Sequence, residues 1–327
     1  MTVRAKKPIP EPTAQTVFPP NLDRDYFADA IQNPFRPQAR GFEPVNAWWL
    51  AEAALLAYAD EAFARQQFGR AGLDQVTFVS EAGSQCYLAE SRDFVLAVFR
   101  GTQVLKPGQA TDRIRGLEES VRDFVADADF RLGEWMPDRF VHEGFKRGLD
   151  SIWSQLEPRL LEHARARRPI WITGHSLGAA LATLAADRLG SAQGLYVFGS
   201  PLVGERRFAA GFKVDAHRIV HHRDIVARVP VFGGFDRPGM GLGDYVHVGA
   251  LKFIDGDGRL RDGAGGTESI QGLTREAVRA LFTLPSQGRL AALLGIGRGP
   301  FDDHAPLYYA LRCWNCYVDS LPPPGTQ

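Results

Sequence analysis

PIWITGHSLGAALATLAADRLG, residues 169–190, is the stretch whose reading decides the fold. Ile170 to Thr173 is a short apolar run of strand type that leads straight into Gly174. After Ser176 come small residues and leucines at helical spacing, as in a helix packed closely on a sheet. Between the two lies Gly174-His175-Ser176-Leu177-Gly178, a Gly-x-Ser-x-Gly turn. A strand–turn–helix of this kind projects its serine from a sharp, strained backbone. The glycines two positions away leave room for strand and helix to approach. The N-terminus of the following helix turns free N–H groups toward the same point, where they favour negative charge. The alternative is an ordinary turn serine, and the flanking strand and helix favour the nucleophile.

A serine hydroxyl needs a base within hydrogen-bond reach and an acid to orient that base. On this fold the chain order is serine, then acid, then histidine. Asp224 follows the apolar strand His217–Val220 and stands at a strand end, where the acid belongs, while Asp187 lies within the elbow helix. Two histidines follow Asp224. His304, at the start of the last helix, is favoured as the base, because a base must reach the sheet's C-terminal edge from a loop. His247, inside a strand-like segment, is the alternative. His175 is expected to brace the turn. The developing oxyanion needs two donors. The Leu177 N–H is one, and Thr102, just after the apolar strand ending "VFRG", is expected to supply the second.

Outward from the elbow, strands alternate with helices. Asn46–Phe68 reads as one long amphipathic helix. Two strands precede Gly101, the second ending in the apolar run Phe94–Phe99. A helix begins at Glu143, and further strands follow at Gly194 and His217. A hairpin is expected over Asp244–Leu260, a helix-prone stretch over Thr274–Leu294, and a final helix from His304. This alternation predicts an α/β fold with a mostly parallel central sheet flanked by helices. The first 20 residues hold five prolines and are expected to form a flexible, extended arm. Residues 21–327 read as a single domain.

The chain has 327 residues, of which 45% are hydrophobic and 23% charged, the balance of a globular protein with a full core. Lys plus Arg equals Asp plus Glu at 38 each, so net charge gives no argument for a nucleic-acid partner. Three cysteines imply no disulfide framework. Cys313 and Cys316 have C-x-x-C spacing inside an apolar helix and read as structural thiols. Asp255–Gly263 superficially resembles a calcium loop but lacks the closing glutamate, and a tight hairpin turn fits better. No cofactor or metal is expected.

With these residues in hand, the chain resembles the class 3 lipases, the family of the fungal triacylglycerol lipases. The ordered motifs that carry the resemblance are "VFRGT" at 98–102, "RDFVADADF" at 122–130, "VHEGF" at 141–145, "ITGHSLGAALATLAA" at 172–186, "VFGSPLVGERRFA" at 197–209, "RIVHHRDIVARVP" at 218–230, "YVHVG" at 245–249 and "DHAPLYY" at 303–309. The resemblance implies an α/β-hydrolase fold, the triad Ser176, Asp224 and His304, and Thr102 and Leu177 as oxyanion donors. It implies hydrolysis of carboxylic esters, often of lipids, without a cofactor. A small-molecule or lipid ester is the expected partner, with transient contact at a lipid interface. An acyltransferase or phospholipase using the same acyl-enzyme is the alternative, and a non-enzymatic binding protein a third reading that the complete triad disfavours. This chain departs from the family in a longer lid segment at about 103–121 and an insertion at about 263–300. It also lacks the disulfides and signal peptide of secreted members, from which a cytoplasmic location is expected.

Overall fold

The computed structural model describes residues 4–17, 19–101, 132–224, 226–228, 245–263 and 302–322. The expected lid at 103–121, nearly all of the insertion at 263–300, and the helix-prone stretch Thr274–Leu294 lie outside them. The strands are β1 (Gln75–Glu81), β2 (Ser84–Glu90), β3 (Val95–Phe99), β4 (Leu132–Met136), β5 (Arg139–His142), β6 (Ile170–His175), β7 (Gly194–Phe198), β8 (Gly204–Glu205), β9 (Ala216–His221), β10 (Tyr245–Val246), β11 (Ala250–Ile254) and β12 (Leu260–Asp262). The helices are α1 (Ala14–Val17), α2 (Pro44–Leu56), α3 (Glu61–Arg70), α4 (Glu143–Arg165), α5 (Leu177–Leu189), α6 (Arg206–Gly211) and α7 (Pro306–Asp319).

The main sheet runs β1-β2-β3-β6-β7-β9-β11-β12. Its centre, β3 to β11, is parallel, and β1, β2 and β12 extend it antiparallel at the two edges. Every residue of β3, β6 and β7 is buried. That is why their sequences are near-continuous apolar runs with no alternation: helices cover both faces. The two faces differ in what fills them. On one, α2 and α7 pack together with an aromatic core that includes Trp48, Trp49, Trp171 and Trp314. On the other, α4 and α5 carry an aliphatic core of leucines, isoleucines and alanines. The alanines of α5 let that helix lie close to β6 directly behind the elbow.

A second, antiparallel sheet, β10-β8-β5-β4, was not expected. Strands β8 and β10 have two residues each, too short for any periodicity to register.

The long helix expected over Asn46–Phe68 is two helices. Asp60 accepts a hydrogen bond from the Phe63 N–H and caps α3, so the chain turns between Leu56 and Glu61. Nor is the first half amphipathic, since every residue from Val45 to Leu56 is buried. The hairpin expected over Asp244–Leu260 is also redrawn. β10 pairs with β8 in the small sheet, and the antiparallel hairpin is β11–β12 around the turn at Asp255.

The proline-rich first 20 residues are not an arm apart from the domain. Trp314 Nε1 donates to the Ala5 carbonyl at 2.9 Å, and Tyr308 Oη donates to that of Pro10 at 3.2 Å. Lys7 and Asn315 exchange a pair of bonds, Lys7 N–H to Asn315 Oδ1 at 2.8 Å and Asn315 Nδ2 to the Lys7 carbonyl at 2.9 Å. The Lys7 ammonium lies 4.4 Å from the Trp314 ring centre, within range of a cation–π contact. Extended, proline-rich backbone leaves its carbonyls unpaired, and the polar side chains of α7 take them up.

Candidate active site

β6 ends at His175, Ser176 forms the turn, and α5 starts at Leu177. Ser176 has φ 58° and ψ −128°, a conformation that costs a non-glycine residue roughly 1–3 kcal/mol and survives only where its surroundings enforce it. The two glycines show how they do. A Cβ on Gly174 would lie 2.8 Å from the Ala179 nitrogen and closer still to the carbonyl of Gly178. A Cβ on Gly178 would meet the Phe99 carbonyl and lie 2.6 Å from the Arg100 carbonyl carbon. The Gly-x-Ser-x-Gly spacing is therefore a close approach of α5 to β6 and β3. The Ser176 N–H is itself anchored on the Phe198 carbonyl of β7 at 3.0 Å.

Asp224 stands three residues beyond the end of β9 and is completely buried. His304 Nδ1 lies 3.0 and 2.9 Å from its two carboxylate oxygens. Tyr309 Oη, one turn into α7, donates to Asp224 Oδ2 at 2.5 Å, and the Val226 N–H donates to Oδ1 at 2.8 Å. Burial alone would raise the pKa of this carboxyl, but the imidazole of His304 and the bonds from His304 and Tyr309 outweigh it and hold it below the ordinary range. Asp224 therefore stays an anion, able only to accept. The bond between the two needs a proton on His304 Nδ1, and in a neutral ring that leaves Nε2 as the acceptor. Nε2 is buried and, among the described residues, has no hydrogen-bond partner. Gly199, with φ 55°, makes room for the pair: a Cβ there would lie 2.6 Å from Asp224 Oδ2 and 2.9 Å from His304 Nδ1.

The other histidines are occupied elsewhere. His247 Nε2 bonds the Ala227 carbonyl at 2.8 Å, and burial lowers its pKa to about 3. It lies under the acid's turn, bonded to the backbone there. His142 caps α4, its Nδ1 accepting from the Gly144 and Phe145 N–H groups at 3.1 and 3.3 Å. Burial lowers its pKa to about 4. His221 Nδ1 bonds the Asp303 carbonyl at 3.0 Å. His175 spans the gap between Tyr58 Oη (2.9 Å from Nδ1) and the His304 carbonyl (2.7 Å from Nε2), so it reaches the base as well as the turn.

Leu177 is the first residue of α5, where an amide has no intrahelical acceptor. Thr102 lies outside the described residues, next to Gly101. Among the described residues no group of three His, Cys, Asp or Glu side chains is placed to hold a metal ion. Cys313 and Cys316 are free and buried. Three contributors escaped the sequence reading: Tyr58, Gly199 and Tyr309. For Gly199 the signal was available, a glycine at the very end of the strand next to the nucleophile's. The two tyrosines gave no signal, because each acts on a residue far from it in the chain.

A serine at a strand–helix elbow on a mostly parallel sheet, with the acid on a later strand's exit and the histidine later still, is the α/β-hydrolase arrangement. Residues 98–233 match the family described as Lipase (class 3). The chain is 36% identical over 151 residues to secreted mono- and diacylglycerol lipase 1 of Fusarium solani, covering 42% of this chain and 41% of that protein. It is 27% identical over 180 residues to a Rhizopus niveus lipase, covering 50% of this chain and 42% of the lipase. The solved lipase of Rhizopus microsporus var. chinensis is similar at 22% identity over 64% of this chain and 72% of its own, with a TM-score of 0.47. The chain thus spans less than half the length of the curated relatives it matches.

The expected cytoplasmic location is corrected by these relatives. Those from Fusarium solani and Penicillium cyclopium are secreted lipases by name, which points outside the cell. The expectation rested on a missing apolar leader and missing disulfides, and neither absence is a physical statement about a compartment. No helix among the described residues is long and apolar enough to cross a membrane.

Proposed function

We propose that this chain is a serine hydrolase that cleaves lipid esters of the acylglycerol type through an acyl-enzyme. The observation that carries this reading is the buried Asp224–His304 pair, bonded through Nδ1, with Nε2 unpartnered among the described residues, on the same sheet edge as the strained Ser176. His304 Nε2 takes the Ser176 proton as the serine oxygen attacks the ester carbonyl. The negative charge passes to the carbonyl oxygen, where the N–H of Leu177 and a donor from Thr102 receive it. The imidazolium formed is stabilised by the Asp224 anion beneath it. It then gives its proton to the departing alcohol, and water attacks the acyl-enzyme by the same route in reverse. The match to secreted mono- and diacylglycerol lipases supports a lipid ester as substrate, met at a lipid interface. No step calls for a cofactor.

Ser176→Ala is expected to lower kcat on p-nitrophenyl butyrate by about 10⁶-fold while the circular dichroism spectrum and Tm stay close to those of the parent. Hydrolysis surviving in a folded Ser176→Ala protein would rule the mechanism out. Product analysis with an added alcohol separates hydrolysis from acyl transfer: a dominant new ester would move the assignment to an acyltransferase.

A further inference from the structure

We propose that Tyr58 and His175 form a positioning pair that holds the main chain and ring of His304 in register with Ser176. The proposal rests on the hydrolase reading above and deepens it. His175 Nε2 meets the His304 carbonyl at 2.7 Å. A carbonyl only accepts, so Nε2 carries the proton. A neutral ring then presents Nδ1 as an acceptor, and Tyr58 Oη, 2.9 Å away, donates to it. The bonds run one way, from Tyr58 to His175 to the backbone of the base. The two imidazoles also lie against each other, with centroids 4.5 Å apart and planes tilted by 32°. His304 is therefore gripped at its carbonyl, its ring face and its Nδ1, and among the described residues its Nε2 has no hydrogen-bond partner.

The same pair abuts a third part of the site. A Cβ on Gly101 would lie 2.9 Å from Tyr58 Cζ and 2.8 Å from the His175 carbonyl. Gly101 precedes Thr102, so the nucleophile's turn, the base and the approach to the expected oxyanion donor all close on two side chains. Both are buried, and Tyr58 reaches them only because the chain turns between α2 and α3. Charge matters as well. Burial, then the neighbouring His304, hold the pKa of His175 well below the ordinary histidine value. His175 thus stays neutral when His304 takes up the serine proton. A second cation 4.5 Å away would oppose that step.

A histidine that merely filled space could be replaced by another ring, and this sets the test. His175→Phe is expected to lower kcat on p-nitrophenyl butyrate by ~10²-fold with KM little changed, the scale of a small misplacement of a catalytic group. His175→Gln, whose amide can donate to the same carbonyl, should recover most of the loss. Tyr58→Phe should cost ~10-fold in the parent and nothing further on top of His175→Phe, because the two act through one path. Independently of any substrate, the far-downfield proton resonance of His304 Nδ1–H should be sharp in the parent and broadened by exchange in His175→Phe. An unchanged kcat and an unmoved resonance in folded His175→Phe would overturn the proposal. If that variant does not fold, the same two results in Tyr58→Phe would overturn it instead. A parent protein inactive on all esters would defeat the hydrolase reading, and the resonance would still decide the positioning pair.

Discussion

Ser176 is shaped by glycines two positions to either side of it, in a turn between one strand and the helix that follows. His304 is placed by Asp224, 80 positions away, and by His175, 129 positions away. The serine's corner is thus a local structure and the histidine's corner a tertiary one. They fail differently. A local turn is stabilised by the packing of the two elements it joins, so damage there spreads to the sheet. A tertiary corner can lose a contact while every element stays intact, so damage there falls on chemistry before stability.

Changing each corner by one methyl group tests that contrast most directly. Gly178→Ala puts a Cβ into the Phe99 and Arg100 carbonyls, which are backbone of a central strand and cannot rotate away. It is expected to cost 3 kcal/mol or more, on the order of the largest overpacking penalties, and to remove activity with it. The measurement is chemical denaturation beside an esterase assay, and a protein of parental stability would show that the elbow is looser than the two glycines imply. Gly199→Ala puts the same methyl group 2.6 Å from Asp224 Oδ2, at φ 55°. Here the neighbours are the side chains of Asp224 and His304 rather than strand backbone. The expected result is a kcat lowered by ~10²-fold for about 1–2 kcal/mol of stability. An equal loss of stability in the two variants would erase the distinction between the corners.

Tyr309→Phe adds no atom to either corner and has the smallest expected effect on activity. It removes one donor from Asp224 and the acceptor of the His221 N–H, at about 2 kcal/mol near neutral pH. The sign of its pH dependence follows from Asp224, whose folded pKa lies below its ordinary value. The parent keeps that contribution at all pH values above the unfolded pKa near 4 and loses it as pH falls through the lower, folded value. Without the tyrosine bond the folded pKa rises toward the unfolded one, and the contribution shrinks. Parent and variant should therefore differ most above pH ~4 and converge in stronger acid. Denaturation midpoints at pH 7 and pH 3 check this, and a gap that widens on acidification would contradict the role given to Tyr309.

The sequence by itself determined the elbow and the mostly parallel sheet, and it singled out Asp224 and His304, which the structure brings into hydrogen-bond contact. All three rest on patterns written within a few residues or on chain order. It misjudged Asn46–Phe68, because the apolar spacing continues through the turn at Tyr58–Asp60 and only the cap on Phe63 marks the break. It did not see the small sheet, where β5 meets β8 at Val141 and Gly204 and β8 meets β10 at Glu205 and Tyr245, far apart in the chain. Only the tertiary structure decided what holds His304. Tyr58, His175, Gly199 and Tyr309 meet there because the parallel strands β6, β7 and β9 deliver their ends to one edge while two helices from opposite ends of the chain, α2 and α7, pack on one face. Side-chain distance, burial and tautomer exist only once those elements are docked, and no local spacing records them.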